Sequence, residues 1–111
     1  MLISITELHI KNLWRLPLFM KYASRSAKQS QTAKGNIKTL ISLGWMRGYT
    51  ITAWENIDAM MQFRNTGDHK EAMRMMRKVS SAYKSLHWEA NEIPNWKEAK
   101  IKLGEIELKK V

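Results

Sequence analysis

His69 lies midway between Arg64 and Arg74, so an imidazole that titrates near neutrality is bracketed by two permanently charged guanidinium groups. At the start of a helix beside a cleft, that imidazole could act as a general base, ligate a haem or hydrogen-bond a substrate carbonyl, or it could simply open the helix. Arg64 and Arg74 could grip an anionic group with paired donors, or only solvate an exposed helix face. Upstream, Trp54 could wall a flat organic substrate or fill core at the end of a strand. Of the eight methionines, five fall between Met60 and Met76, Met73 among them; they could line an adaptable apolar pocket or bury a helix face on a sheet.

Other chemistries lose their support. The chain has no cysteine, which removes disulfides and thiolate metal sites, and it lacks a Gly-rich phosphate loop, a nucleophilic Ser motif and a dinucleotide fingerprint. The three histidines, His9, His69 and His87, do not share a helix face, so no metal site is expected. His9 with Glu7, and His87 with Glu89, could line a cavity or lie at an exposed sheet edge.

Nineteen Lys and Arg against ten Asp and Glu give a formal charge of +9, which draws anionic partners of any kind: nucleic acid, a lipid surface or an acidic small molecule. Two rows carry much of it, Lys21, Arg25 and Lys28 on one predicted helix and Lys70, Arg74 and Arg77 on another. No apolar run approaches the ~20 residues of a membrane span, and Met1–Ile5 lacks a basic leader, so a cytoplasmic protein is expected.

The elements that hold these residues follow from periodicity. Leu2 to Ile10 reads as a strand, buried on both faces over part of its length. Leu13, Leu16, Met20, Ala23 and Ala27 recur at helical spacing after a candidate cap at Asn12, with Pro17 placing the regular start near Trp14 to Leu16. Ile37–Trp45 and Arg47–Trp54 read as a hairpin, and Ile57, Met60, Met61 and Phe63 as the face of a second helix. A break at Asn65–Gly67 precedes a further helical segment started by Asp68 and Glu71, with Ala72, Met75, Met76 and Val79 inward. Ala82 to Ile93 alternates as a last strand, and a short helix at about 95–104 packs back or onto a partner.

The order β-α-β-β-α-β over 1–111 predicts one α+β, ferredoxin-like domain, an antiparallel sheet with helices on one face. Trp45, Trp54, Trp88 and Trp96 would leave its other face apolar, and a homodimer would cover it.

Three stretches, GYTITAWEN (48–56), AMMQF (59–63) and TGDHKEAMR (66–74), resemble the spheroidene monooxygenase-like branch of the dimeric α/β-barrel superfamily, which also contains antibiotic-biosynthesis-type monooxygenases. In that pattern a strand ending in Trp and an acid leads to a helix, a Phe, a small polar break and a His; Trp54, Glu55, Phe63, Gly67 and His69 match in order. The resemblance implies a dimeric α/β barrel, a site at Trp54, Phe63 and His69, and oxygenase chemistry with no cofactor or with haem. In haem-degrading members an Asn on the first strand accompanies the Trp and His, whereas here that strand offers Thr6 or His9 and the Asn comes only at Asn12.

Two functions are therefore expected. In one, an apolar organic molecule enters a cleft between sheet and helices, is oriented by His69 and Arg64, with Trp54, Phe63, Met73 and Arg74 around it, and is oxidised. In the other, the basic helix rows bind nucleic acid or another polyanion without catalysis.

Overall fold

The computed structural model describes residues 1–110; the side chain of Asp68 and residue Val111 lie outside what it describes. Strand β1 (Leu2–Ile10) leads through a 3-10 turn (Leu13–Arg15) into α1 (Leu16–Gln31) and the hairpin β2 (Asn36–Gly44) and β3 (Arg47–Trp54). Two short helices, α2 (Ile57–Arg64) and α3 (Gly67–Val79), precede β4 (Ser80–Glu89), then α4 (Trp96–Gly104) and a two-residue β5 (Lys109–Lys110). The sheet runs β2-β3-β1-β4-β5, antiparallel throughout.

Small polar side chains set the helix starts. Asn12, Asn56, Thr66 and Asn95 each accept from the backbone N–H three residues on, which satisfies one orphan donor per helix. Thr66 therefore opens α3, not Asp68, and His69 falls in the first turn. After α1, Gly35 turns the chain with φ +83°; a Cβ there would stand 2.4 Å from the Ala59 Cβ, so both its conformation and the approach of α2 require glycine.

Strand alternation divides the core. Ile3, Ile5, Tyr49, Ile51 and Ala53 point to one face, where Ala99 and Leu103 of α4 settle on them. The last helix thus packs back on its own sheet. Leu2, Ser4, Thr6 and Leu8 point to the other face, under α1, α2 and α3. There the apolar contacts form two separated clusters, Leu2–Trp54–Met60–Phe63 and Ile10–Phe19–Met76–Val79.

Several expected positions are corrected. Trp54 is not part of an outward apolar face: its register opposite Leu2 puts it on the helix side, 1% exposed. Trp45 is not on a strand but at the tip of the β2–β3 turn, 82% exposed. On α1, Phe19 is the buried anchor; Leu13 is exposed because it belongs to the 3-10 turn before the regular helix, and Met20 is exposed at the margin of the face that Leu16, Phe19 and Ala23 turn inward. Ile57 and Met61 are likewise exposed, leaving Met60 and Phe63 as the inward pair of α2. No helix among the described residues is long and apolar enough to cross a membrane.

Candidate functional site

Between the two apolar clusters the helices stand off the sheet and leave a cavity of about 650 Å3. Such a volume suits a ring system of several fused members. Its floor is made of hydroxyls. Ser4 lies opposite Thr52, which lies opposite Thr39, and Thr6 lies between Thr50 and Ser85, so neighbouring strands build a polar carpet where aliphatic side chains would ordinarily meet the helices. This carpet was not anticipated. Its signal was present in the alternation Ile3-Ser4-Ile5-Thr6 and Tyr49-Thr50-Ile51-Thr52, which places hydroxyls at every helix-facing position.

The six residues singled out from the sequence, His69, Trp54, Phe63, Arg64, Met73 and Arg74, all line this cavity. Trp54 closes one end from the last position of β3; Phe63 and Arg64 come from the last turn of α2, and His69, Met73 and Arg74 from α3. An aromatic stack ties them together, with ring centroids 5.2 Å apart for Trp54–Phe63 and 4.3 Å for Phe63–His69, both tilted. Phe63 is thus the spacer between indole and imidazole.

Two polar atoms on that stack are buried and have no hydrogen-bond partner among the described residues: the Trp54 Nε1–H and the His69 Nδ1. Leaving buried polar groups unpaired costs about 1–3 kcal/mol each, so such atoms beside a cavity invite a ligand. Burial, and secondarily the Arg64 charge, lower the His69 pKa from its ordinary 6.5. The imidazole is therefore neutral at physiological pH, and in the Nε2-protonated tautomer its Nδ1 is an acceptor and a base.

The unfolded chain takes up the His69 proton near 6.5, whereas the folded chain resists it, so the stability contributed by neutral His69 is complete above 6.5 and is lost as pH falls below it. Titration of the His69 ring by NMR should give a midpoint below 6.5, and Arg64→Gln should move it upward by removing the nearby positive charge. A midpoint above 6.5 would show that burial does not govern this ring.

Basic side chains rim the opening. Arg64, Lys70, Arg74 and Arg77 line it, and among the described residues no Asp or Glu does. Arg74 is already engaged by Glu71 at 2.8 Å, and that pairing raises its pKa. That pairing leaves Arg64 and Arg77 as the more available donors. The row Lys70, Arg74 and Arg77 thus borders a cavity, while Lys21, Arg25 and Lys28 face solvent on α1 and do not.

Other polar candidates lie elsewhere. His9 Nε2 and Glu7 Oε2 pair at 2.6 Å on the α4 side of β1, away from the cavity, and His87 is exposed on β4. No cluster of three metal-ligating side chains occurs among the described residues. The strand-one positions facing the cavity are Ser4, Thr6 and Leu8, and Asn12 instead caps the exposed 3-10 turn, so the Asn, Trp and His set of haem-degrading members is not assembled.

No family model matches the sequence, and no curated protein matches it. Solved structures do. A candidate antibiotic biosynthesis monooxygenase from Deinococcus radiodurans superposes with TM-score 0.77 at 18% identity, covering 86% of this chain and 97% of the other. A candidate antibiotic biosynthesis monooxygenase from Nitrosomonas europaea gives TM-score 0.75 at 12% identity over 83% and 100% of the two chains. SnoaB, a cofactor-independent oxygenase from Streptomyces nogalater, gives 0.71 at 12% identity over 82% and 93%. The chain therefore has the ferredoxin-like α+β fold of the antibiotic biosynthesis monooxygenase structures.

Proposed function

We propose that the protein binds a planar, largely apolar organic molecule in the helix-side cavity and oxidises it with molecular oxygen. One observation carries this reading: the unpartnered Trp54 Nε1–H and His69 Nδ1, held on either side of Phe63, line the same cavity. A carbonyl or enolate oxygen would accept from the indole, and an acidic C–H or O–H would meet the imidazole. The Arg64 and Arg77 rim favours a substrate that carries or develops negative charge.

The chemistry then needs little from the protein. His69 takes a proton from an acidic carbon, and the resulting carbanion is electron-rich enough to reduce oxygen itself. A methylene and one O2 give a carbonyl and one water, the substrate supplying the electrons. Haem is not required for that balance, in keeping with the cofactor-independent chemistry of SnoaB. The hydroxyl floor would hold the ring substituents of the substrate.

The same reading makes the working unit a homodimer. Leu40, Leu86, Trp88 and Trp96 remain only partly buried around α4, and a second copy would cover them. Sedimentation at twice the chain mass is expected, and a monomer at micromolar concentration would remove this element.

Binding of a polyanion through the basic helix rows is the weaker alternative, because one of its two rows borders the cavity. The test is oxygen uptake with an anthrone, a tricyclic ketone with an acidic methylene, and no added metal or cofactor. One O2 consumed per anthraquinone formed, above the spontaneous rate, supports the reading; no acceleration, with steeply salt-dependent binding to single-stranded DNA, would replace it with the polyanion reading.

A further inference from the structure

The sign of charge is distributed unevenly along this chain. Residues 8–54 contain eight Lys or Arg and no Asp or Glu, and Glu7, just before them, is buried against His9. That half of the sequence also carries the two most exposed tryptophans, Trp14 at 92% and Trp45 at 82%.

The fold gathers both tryptophans and three of these basic residues, Lys11, Arg15 and Arg47, at one end of the sheet. The Ile10 N–H donates to the Met46 carbonyl at 2.9 Å, which sets the β2–β3 turn beside the end of β1, and the Lys11 N–H donates to the Val79 carbonyl at 2.8 Å, which brings in the end of α3. Leu16 and Met46 pack on the same apolar cluster, so Trp14, two residues before Leu16, and Trp45, next to Met46, project from a shared base. Leu13 and Leu43, both at least half exposed, extend the apolar tip. Lys11, Arg15, Arg47 and Lys78 surround it, and β5 adds Lys109 and Lys110 opposite Tyr83 and Ala82, near the start of β4.

Exposed tryptophans have no role in a solvated turn, and their amphipathic rings favour the headgroup layer of a bilayer. A collar of Lys and Arg around them adds attraction to anionic lipid. We infer that this end of the protein docks on anionic membrane surfaces, with Trp14 and Trp45 inserted at headgroup depth and Lys11, Arg15 and Arg47 against lipid phosphates. Single-stranded nucleic acid would use the charges but leave the leucines unexplained. The surface is separate from the cavity and stands whether or not the oxygenase reading holds.

The test is co-sedimentation of the full chain with vesicles of phosphatidylcholine alone and of phosphatidylcholine with about one part in four phosphatidylglycerol, at low and high salt. Partitioning should be at least about 100-fold stronger on the anionic vesicles and should weaken as ionic strength rises. The double change W14S/W45S should reduce it by roughly tenfold or more on anionic vesicles without lowering the thermal midpoint, since both rings are exposed. Neutralising Lys11, Arg15 and Arg47 to Gln should cost on the order of 100-fold on anionic vesicles, at about fivefold per charge, and leave binding to neutral vesicles unchanged. No binding to either vesicle would overturn the inference. So would binding that survives W14S/W45S, and so would loss of vesicle binding explained by a change of oligomeric state in that variant, which would make the tip a protein interface. Tight binding to single-stranded DNA with no vesicle binding would assign the charge to nucleic acid instead.

Discussion

His69→Ala is expected to lower anthrone turnover by about two to four orders of magnitude, the usual worth of a positioned general base, while leaving the protein folded. The side chain is only half-buried and sits in the first turn of α3, where the Thr66 cap and not the imidazole fixes the helix start. Truncation removes its stack on Phe63, so a modest loss of stability is tolerable within the fold. His69→Gln should be nearly as inactive, because an amide can hydrogen-bond but cannot take the proton. In the intact protein the activity should persist below pH 6.5 before it falls, since burial and Arg64 hold the imidazole neutral there. Turnover in His69→Ala within a few-fold of the original would remove the base from the mechanism.

Trp54→Ala is expected to be the most damaging change to stability, by roughly 3–5 kcal/mol. The indole is 1% exposed and packs with Leu2, Met60 and Phe63, and it anchors α2 to the end of β3. Since small domains are stable by only about 5–15 kcal/mol, that loss should be plain in a chemical denaturation curve. Trp54→Phe separates packing from hydrogen bonding. It keeps an aromatic ring and deletes a buried donor that has no partner among the described residues, so the free protein should change by no more than about 1 kcal/mol. Ligand affinity should nevertheless fall by roughly five- to tenfold if a ligand oxygen accepts from Nε1. Equal losses in stability and affinity would mean that the indole is core alone.

Much of this fold was legible in the sequence because alternation and helical spacing are strong over β1, β3 and α3. The alternation of Arg47–Trp54 has the bounds of β3 itself, and the helical spacing at about 95–104 lies within a residue of Trp96–Gly104. Trp54, Phe63 and His69 are legible from a different source, the resemblance that runs through them, and Arg64 and Arg74 from their place on either side of His69, since no periodicity distinguishes a cavity wall from a core. What escaped the reading depended on geometry that one sequence does not carry. The 3-10 turn at Leu13–Arg15 takes Leu13 off the inward face of α1, and strand parity puts Trp54 with Thr50 and Thr52 and not with Ile51. The hydroxyl floor escaped for the opposite reason. Each Ser and Thr is unremarked alone, and only the register across β2, β3, β1 and β4 joins them into a surface.

The measurement closest to the central claim is an NMR titration of indole and imidazole nitrogens with anthraquinone-2-carboxylate, a planar acid that matches the cavity in shape and charge and is not itself oxidised. The Trp54 indole N–H, assigned from its absence in Trp54→Phe, and the His69 ring nitrogens should shift together and saturate, while the exposed Trp14 and Trp45 indoles stay still. Saturable shifts confined to Trp14 and Trp45, or none at Trp54 and His69, would contradict the cavity as the binding site.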